Sequence, residues 1–239
     1  MTIRFNRQGR GRTLVLFHGW GFDSRIWHTL LPELTADFEV YCVDLPGFGG
    51  TPLMNWLTFK EELLDILPQT FVLLGWSLGG LYATRLSIEV PQRISVLINV
   101  AATPRFIKDK QWPGIEKNIL DNFYQALCSN PSHTLQEFIK LQNRGLSLFN
   151  YSLNVPDKNS LKKGLNVLSE WDLREKLMHF TKPVCFMFGR LDAIVPVKTM
   201  CTMKKNYPYF HYIVFKKSAH MPFISHQNEF LESLRTFII

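Results

Sequence analysis

The chain has 239 residues, 46% hydrophobic and 20% charged. This excludes a disordered or fibrous protein and fits one large α/β domain with room for an inserted cap. Its 27 Lys+Arg against 20 Asp+Glu give a formal charge of +7, which favours an acidic partner. No nucleic-acid motif or basic amphipathic helix accompanies that charge, so neither nucleic acid nor membrane is expected as a partner.

The opening stretch, Met1 to Arg7, lacks the apolar core of a signal peptide, and no apolar run reaches membrane-spanning length. The cytoplasm is the expected compartment. Cys42, Cys128, Cys185 and Cys201 show no C-x-x-C spacing, and the seven histidines form no metal-ligand pair. Free thiols, no metal and no cofactor are expected.

Leu14 to Phe17 reads as a buried strand that runs into His18, Gly19, Trp20 and Gly21. Glycines just past a strand let the backbone approach a ligand, which makes the Trp20 amide a candidate oxyanion donor. His18 reads as a structural hydrogen-bonding residue. A helix is expected over 26–35 and a strand over 39–43, ending at Asp44. Among prolines and glycines Asp44 suits a turn, and it precedes the serine discussed next. A helix over 58–67 closes at Pro68.

The apolar run Phe71 to Leu74 leads into Gly75, Trp76, Ser77, Leu78 and Gly79, and a helical pattern follows from Leu81 to Glu89. Strand, G-x-S-x-G turn and helix are the context in which a serine becomes a nucleophile. The strained turn exposes the hydroxyl, and glycines remove side chains that would clash. The Leu78 amide, at the start of that helix, is the second expected oxyanion donor.

A strand over 94–100 completes an alternation of strands and helices, the pattern of a parallel sheet covered on both faces. From about residue 106 to 171 only helical patterns occur, over 115–127, 135–143 and 160–170. They read as a cap over the active site. The expected organisation is an α/β-hydrolase core over 1–105 and 172–239, with a helical cap over 106–171 that is not an independent domain. The α/β pattern resumes with a strand over 183–189 followed by Asp192, a helix over 197–205, and a strand over 211–215 followed by His220. Ser77, Asp192 and His220 all follow strand ends, in the chain order of α/β-hydrolases. They are the expected nucleophile, acid and base of an acyl-transferring triad. His226 is the nearby competitor for the base, and a position in the first turn of the closing helix suits it better to a structural role.

A serine in that place argues against dehalogenase and epoxide hydrolase chemistry, which use aspartate there. Carbon–carbon bond hydrolases and peroxidases share the triad and stay open, as does a general carboxylesterase for short unlinked esters. A non-catalytic binder would have no need of all three residues.

The combination His18 to Gly21, Val43 to Gly49, Gly75 to Gly80, Trp112 to Ile115 and Ala219 to His226 resembles the pimeloyl-[acyl-carrier protein] methyl ester esterases of biotin synthesis. The likeness runs over nearly the whole chain. It implies hydrolysis of that methyl ester, with acidic acyl carrier protein docked on a basic cap surface; the expected state of the enzyme is a monomer. Lys140, Arg144, Lys158, Lys162, Lys163 and Arg174 are the candidates for that surface. It also implies that Phe138, Ile139, Lys140, Leu141 and Gln142 bind the acyl chain, and helical spacing would put Phe138, Leu141 and Gln142 on one face.

Overall fold

The computed structural model describes residues 2–143 and 155–238. Among these, seven strands form one sheet: β1 (Phe5–Gln8), β2 (Arg12–Phe17), β3 (Phe38–Val43), β4 (Phe71–Trp76), β5 (Ile94–Val100), β6 (Val184–Gly189) and β7 (His211–Phe215). Their order is β1-β3-β2-β4-β5-β6-β7, parallel throughout except for β1, which runs antiparallel to β3 with Phe5 opposite Val43. The α-helices are α1 (Leu31–Leu34), α2 (Trp56–Ile66), α3 (Leu78–Glu89), α4 (Lys117–Ser129), α5 (Pro131–Asn143), α6 (Lys158–Glu170), α7 (Arg174–Leu177), α8 (Val197–Asn206), α9 (Pro222–Ser225) and α10 (Gln227–Ile238).

Successive strand residues point to opposite faces, and here both faces are dry, which is why the central strands read as unbroken apolar runs. Leu14, Leu16, Val72 and Leu74 join one core cluster with Leu31, Leu34, Phe230 and Leu234. Val15, Phe17, Phe71 and Leu73 join the other, with Phe59, Leu63, Leu81 and Leu86. Helices α1 and α10 thus cover one face, α2 and α3 the other. A fully buried Leu or Phe contributes roughly 1.5–3 kcal/mol, so these two layers dominate the stability of the fold.

Local chemistry sets the helix ends. Asn55 accepts the Thr58 amide at 3.0 Å to start α2, and the Asp157 carboxylate accepts the Asn159 and Ser160 amides to start α6. The helix expected over 26–35 is divided. A 3-10 turn over Ser24–Trp27, capped by Asp23, precedes the short α1 with Pro32 near its start. The edge strand β1 was not expected from its polar sequence.

Helices α4, α5 and α6 stand where the strand pattern breaks. Their Leu120, Leu127, Leu135, Leu161, Leu165 and Leu168 belong to the same cluster as Phe17 and Leu78. Asn130 alone separates α4 from α5. Its main-chain carbonyl accepts the Thr134 amide, and Pro131 opens α5.

Candidate active site

Ser77 follows β4 directly and adopts φ 54 and ψ −116, a left-handed backbone seldom taken by a residue with a Cβ. Its amide donates to the Val100 carbonyl of β5 at 2.9 Å. The turn closes only because its neighbours lack side chains. A Cβ on Gly75 would lie 2.2 Å from the Gly79 carbonyl oxygen, and one on Gly79 would lie 2.4 Å from that of Phe17. Helix α3 begins at the next residue, so its first amides point toward the space beside the Ser77 hydroxyl.

Asp192 lies beyond the end of β6 and His220 beyond the end of β7. The two form a buried pair, His220 Nδ1 to Asp192 Oδ2 at 2.7 Å, with side chains 1% and 0% exposed. The other carboxylate oxygen accepts the Ile194 and Val195 amides at 2.8 and 3.0 Å, which fixes its orientation. An acceptor at Nδ1 requires the neutral imidazole to carry its proton there, leaving Nε2 as the free base. His220 Nε2 makes no hydrogen bond to any described residue. The His220 main chain is held on both sides: its carbonyl accepts Trp76 Nε1 at 2.9 Å, and its amide donates to the Gln142 carbonyl at 3.2 Å.

Trp20 lies just past β2, at the same carboxyl edge of the sheet. Among the described residues, the main-chain hydrogen bonds of turns, loops and caps take up neither its amide nor that of Leu78. His18 is fully buried, with Nδ1 donating to the Gly19 carbonyl at 2.8 Å and Nε2 accepting the Leu45 amide at 2.9 Å. Burial pushes its pKa down, so it is a neutral clamp on the loop that carries Trp20. Asp44 accepts the Ser24 and Gly50 amides at 2.7 and 2.8 Å and serves a turn. His226 caps the short α9 beside Ser225 Oγ.

A cavity of about 270 Å³ opens beside Ser77, lined by Trp20, Phe106, Phe123, Phe138, Leu165 and Leu168 among others, with Glu116 as the one charged residue among the described residues of its wall. Half-exposed Ile119 and Leu141 also line it. The five residues over 138–142 divide. Phe138 and Leu141 line the cavity, whereas Ile139 packs against the core cluster on the other side of the sheet. Lys140 is exposed and pairs with Glu137 at 2.7 Å. Gln142 is 1% exposed, outside the lining, and its Nε2 has no described partner. Phe138 and Gln142 therefore do not present their side chains to the same space. A larger groove of about 700 Å³ near α7 and α8 contains none of the triad residues.

Among the basic candidates, Lys158, Lys162 and Lys163 are exposed on α6, with Lys162 Nζ 5.5 Å from the Tyr124 ring centroid. Arg174 is engaged internally, at 2.8 Å from Asp109 and 2.7 Å from Asp172, over the Trp112 ring. Arg144 lies outside the described residues. No described cluster of three or more His, Cys, Asp or Glu could hold a metal ion, and no described helix is long and apolar enough to cross a membrane.

Sequence reasoning missed three supports of the site: the Ile194 and Val195 amides on Asp192, the Trp76 indole on the His220 carbonyl, and the Gln142 carbonyl on the His220 amide. Each involves a main-chain atom, which side-chain patterns do not report.

A model of the alpha/beta hydrolase family matches residues 14–233. The pimeloyl-[acyl-carrier protein] methyl ester esterase of Legionella pneumophila (strain Paris) is 49% identical over 239 residues, covering all of both chains. The protein of the same name from Aeromonas salmonicida (strain A449) is 36% identical, again over all of both chains. Among solved structures, a bromoperoxidase from Bacillus anthracis superposes with a TM-score of 0.90 at 24% identity, over 99% of this chain and 95% of the other. An esterase from Exiguobacterium antarcticum superposes with a TM-score of 0.88 at 20% identity, over 98% and 94%. The strand order, the turn at Ser77 and the end-to-end identity to those relatives agree: the chain belongs to the alpha/beta hydrolase family and, within it, to the pimeloyl-[acyl-carrier protein] methyl ester esterases.

Proposed function

We propose that this chain hydrolyses pimeloyl-[acyl-carrier protein] methyl ester to pimeloyl-[acyl-carrier protein] and methanol, a step of biotin synthesis carried out in the cytoplasm. Ser77 attacks the ester carbonyl while His220 Nε2 takes its proton, and Asp192 holds the imidazole and stabilises its cation. The amides of Trp20 and Leu78 receive the oxyanion, each such donor being worth about 3 kcal/mol of barrier. His220 then protonates the departing methanol, and water repeats the sequence on the acyl-enzyme to release the acid. Every proton in this cycle moves between Ser77, His220, water and substrate, so no cofactor is required.

The observation that carries the chemistry is the buried Asp192–His220 pair, oriented from three sides with Nε2 left open. The substrate reading is supported by the full-length identity to the Legionella relative and by the cavity. At about 270 Å³ it lies just below the roughly 300–1,000 Å³ usual for ligand sites, and its apolar wall suits a slim aliphatic chain. The substrate carries a methyl ester at one end and a thioester at the other. A chain entering between Ile119 and Leu141 would bring the far ester to Ser77 and keep the thioester outside, so selectivity is positional. The exposed lysines of α6 suit an acidic carrier.

The test compares kcat/KM for the carrier-linked methyl ester with that for free dimethyl pimelate, at low and moderate salt. A carrier preference that fades with salt, with methanol released and the thioester intact, supports the proposal. Equal rates on both substrates would replace it by a general carboxylesterase without carrier dependence.

A further inference from the structure

Three cap helices converge on one side chain at the sheet edge. The Trp20 indole is buried, and its Nε1 donates to the Leu161 carbonyl of α6 at 2.9 Å. Its ring meets Phe123 of α4 and Phe138 of α5 edge-on, each with centroids 5.4 Å apart. Gly164 of α6 comes so close that a Cβ there would lie 2.5 Å from Trp20 Cδ1 and 3.1 Å from Phe48 Cζ. The main chain of Trp20 stands between Gly19 and Gly21, the latter at φ 80, where the backbone has few torsional constraints of its own.

We propose that the Trp20 indole is a positioning element: held by α4, α5 and α6, it sets where the Trp20 amide stands in the oxyanion site. The placement of the cap is then read out as rate and not only as substrate fit. The proposal rests on the roles of Ser77 and the two amides given above.

Its physical basis is the short range of an oxyanion donor, which acts only at about 2.7–3.1 Å from the developing charge. Two rotatable bonds join the indole to its backbone, and close packing on several sides leaves little freedom in either. A shift of α6 therefore passes into the peptide of Trp20, which its glycine neighbours do little to resist. His18 opposes from below by holding the Gly19 carbonyl and the Leu45 amide. Helix α5 also reaches the base, through the Gln142 carbonyl on the His220 amide. The face of α6 that carries Lys158, Lys162 and Lys163 belongs to the helix that grips the indole, so a docked carrier would bear on the oxyanion donor through it.

The test is a double-mutant cycle between Gly164→Ala and Trp20→Phe, using an unlinked methyl ester so that carrier docking plays no part. Alanine is the better helix former by about 1 kcal/mol, but its methyl group, 2.5 Å from the held indole, costs about 1–3 kcal/mol of overpacking. Gly164→Ala should therefore fold with Tm lowered by a few degrees at most while it pushes the indole. It should lower kcat about tenfold with KM within about twofold, and weaken a trifluoromethyl ketone that forms a tetrahedral adduct by the same factor. In the Trp20→Phe background, where the smaller ring makes room, Gly164→Ala should change kcat by less than about twofold. Trp20→Phe alone should lower kcat and ketone affinity in parallel.

The proposal is overturned if Gly164→Ala leaves kcat at the parent value, or lowers it equally in both backgrounds. It is also overturned if Trp20→Phe raises KM with kcat unchanged, which would make the indole a wall of the acyl cavity and nothing more. Failure of the underlying esterase reading shows differently, as turnover that survives Ser77→Ala.

Discussion

Replacing Asp192 by asparagine removes one charge and almost no volume. The Ile194 and Val195 amides donate to Oδ1 at 2.8 and 3.0 Å, and only an oxygen can accept them. The new NH2 group must therefore take the place of Oδ2, 2.7 Å from His220 Nδ1. A donor there forces the imidazole into the other tautomer, with its proton on Nε2, where it can no longer take one from Ser77. The lost charge adds to this. With charge centres about 4 Å apart and an effective dielectric near 20, the attraction between Asp192 and the imidazolium formed during reaction is about 4 kcal/mol, or about 10³ in rate. Both effects together predict a kcat lower by about 10⁴. The pair is buried, so added salt should not restore activity.

The loop keeps its main-chain hydrogen bonds in Asp192→Asn, so Tm should move by no more than about 3 °C. Initial rates on an unlinked methyl ester, with thermal unfolding of the same preparation, decide the matter. A variant that retains more than about a tenth of the parent activity refutes the tautomer argument. A collapse of Tm alongside the activity would instead make Asp192 a structural support of the loop.

Other perturbations follow from the same geometry. Burial raises the pKa of Glu89, but hydrogen bonds from Lys60, Arg85 and Trp56 outweigh it and hold it at about 2. A depressed carboxylate stabilises above its unfolded value, here 4.5, and loses that contribution as pH falls through its folded value. Glu89→Gln should thus lower the denaturant midpoint at pH 7, with the gap to the parent closing between 4.5 and about 2; a constant gap would contradict the linkage. Cys42 and Cys185 are buried, and burial pushes the Cys42 thiol up to about 12, with Asp44 adding to the shift, and that of Cys185 further still. Iodoacetamide should therefore label only Cys128 and Cys201 in the native protein and all four cysteines after unfolding, as read by mass spectrometry. Lys162→Glu with Lys163→Glu should weaken turnover of carrier-linked ester while sparing free ester; equal loss on both would point to damage to α6 rather than to docking.

The sheet was legible because the central strands are largely apolar on both faces and β2, β3, β4 and β6 end at a glycine or a polar residue. The strand expected over 94–100 matches β5 residue for residue, and that over 211–215 matches β7. Strand β1 escaped because an edge strand needs little hydrophobic signal: Phe5 is 39% exposed, and Asn6, Arg7 and Gln8 follow it. Short α7 escaped too, since four residues cannot establish a helical period. For the candidate site, the residues that follow strands were visible, because chain order and strand ends are properties of sequence. The hold on them was not. The lining of the cavity by Phe138 and Leu141, but not by their neighbour Gln142, depends on how α5 lies across the sheet. The internal ion pairs of Arg174 depend on where Asp109 and Asp172 arrive in space. Neither arrangement leaves a local pattern.

Strands β5 and β6 are hydrogen-bonded neighbours, Leu97 opposite Val184, although helices α4 to α7 lie between them in the chain. Synthesis from the N-terminus therefore delivers β1 to β5 and the turn at Ser77 well before their partners exist. The half-sheet that has emerged ends on β5 as an open edge, and closing the long loop to β6 adds an entropic penalty that grows only logarithmically with its length. The base arrives later still, after β7. On the proposed mechanism, a nascent chain carries Ser77 without its base until His220 has been made. On that reading hydrolytic competence arrives only with the loop that follows β7, so the order of synthesis itself keeps incomplete chains from acting on esters.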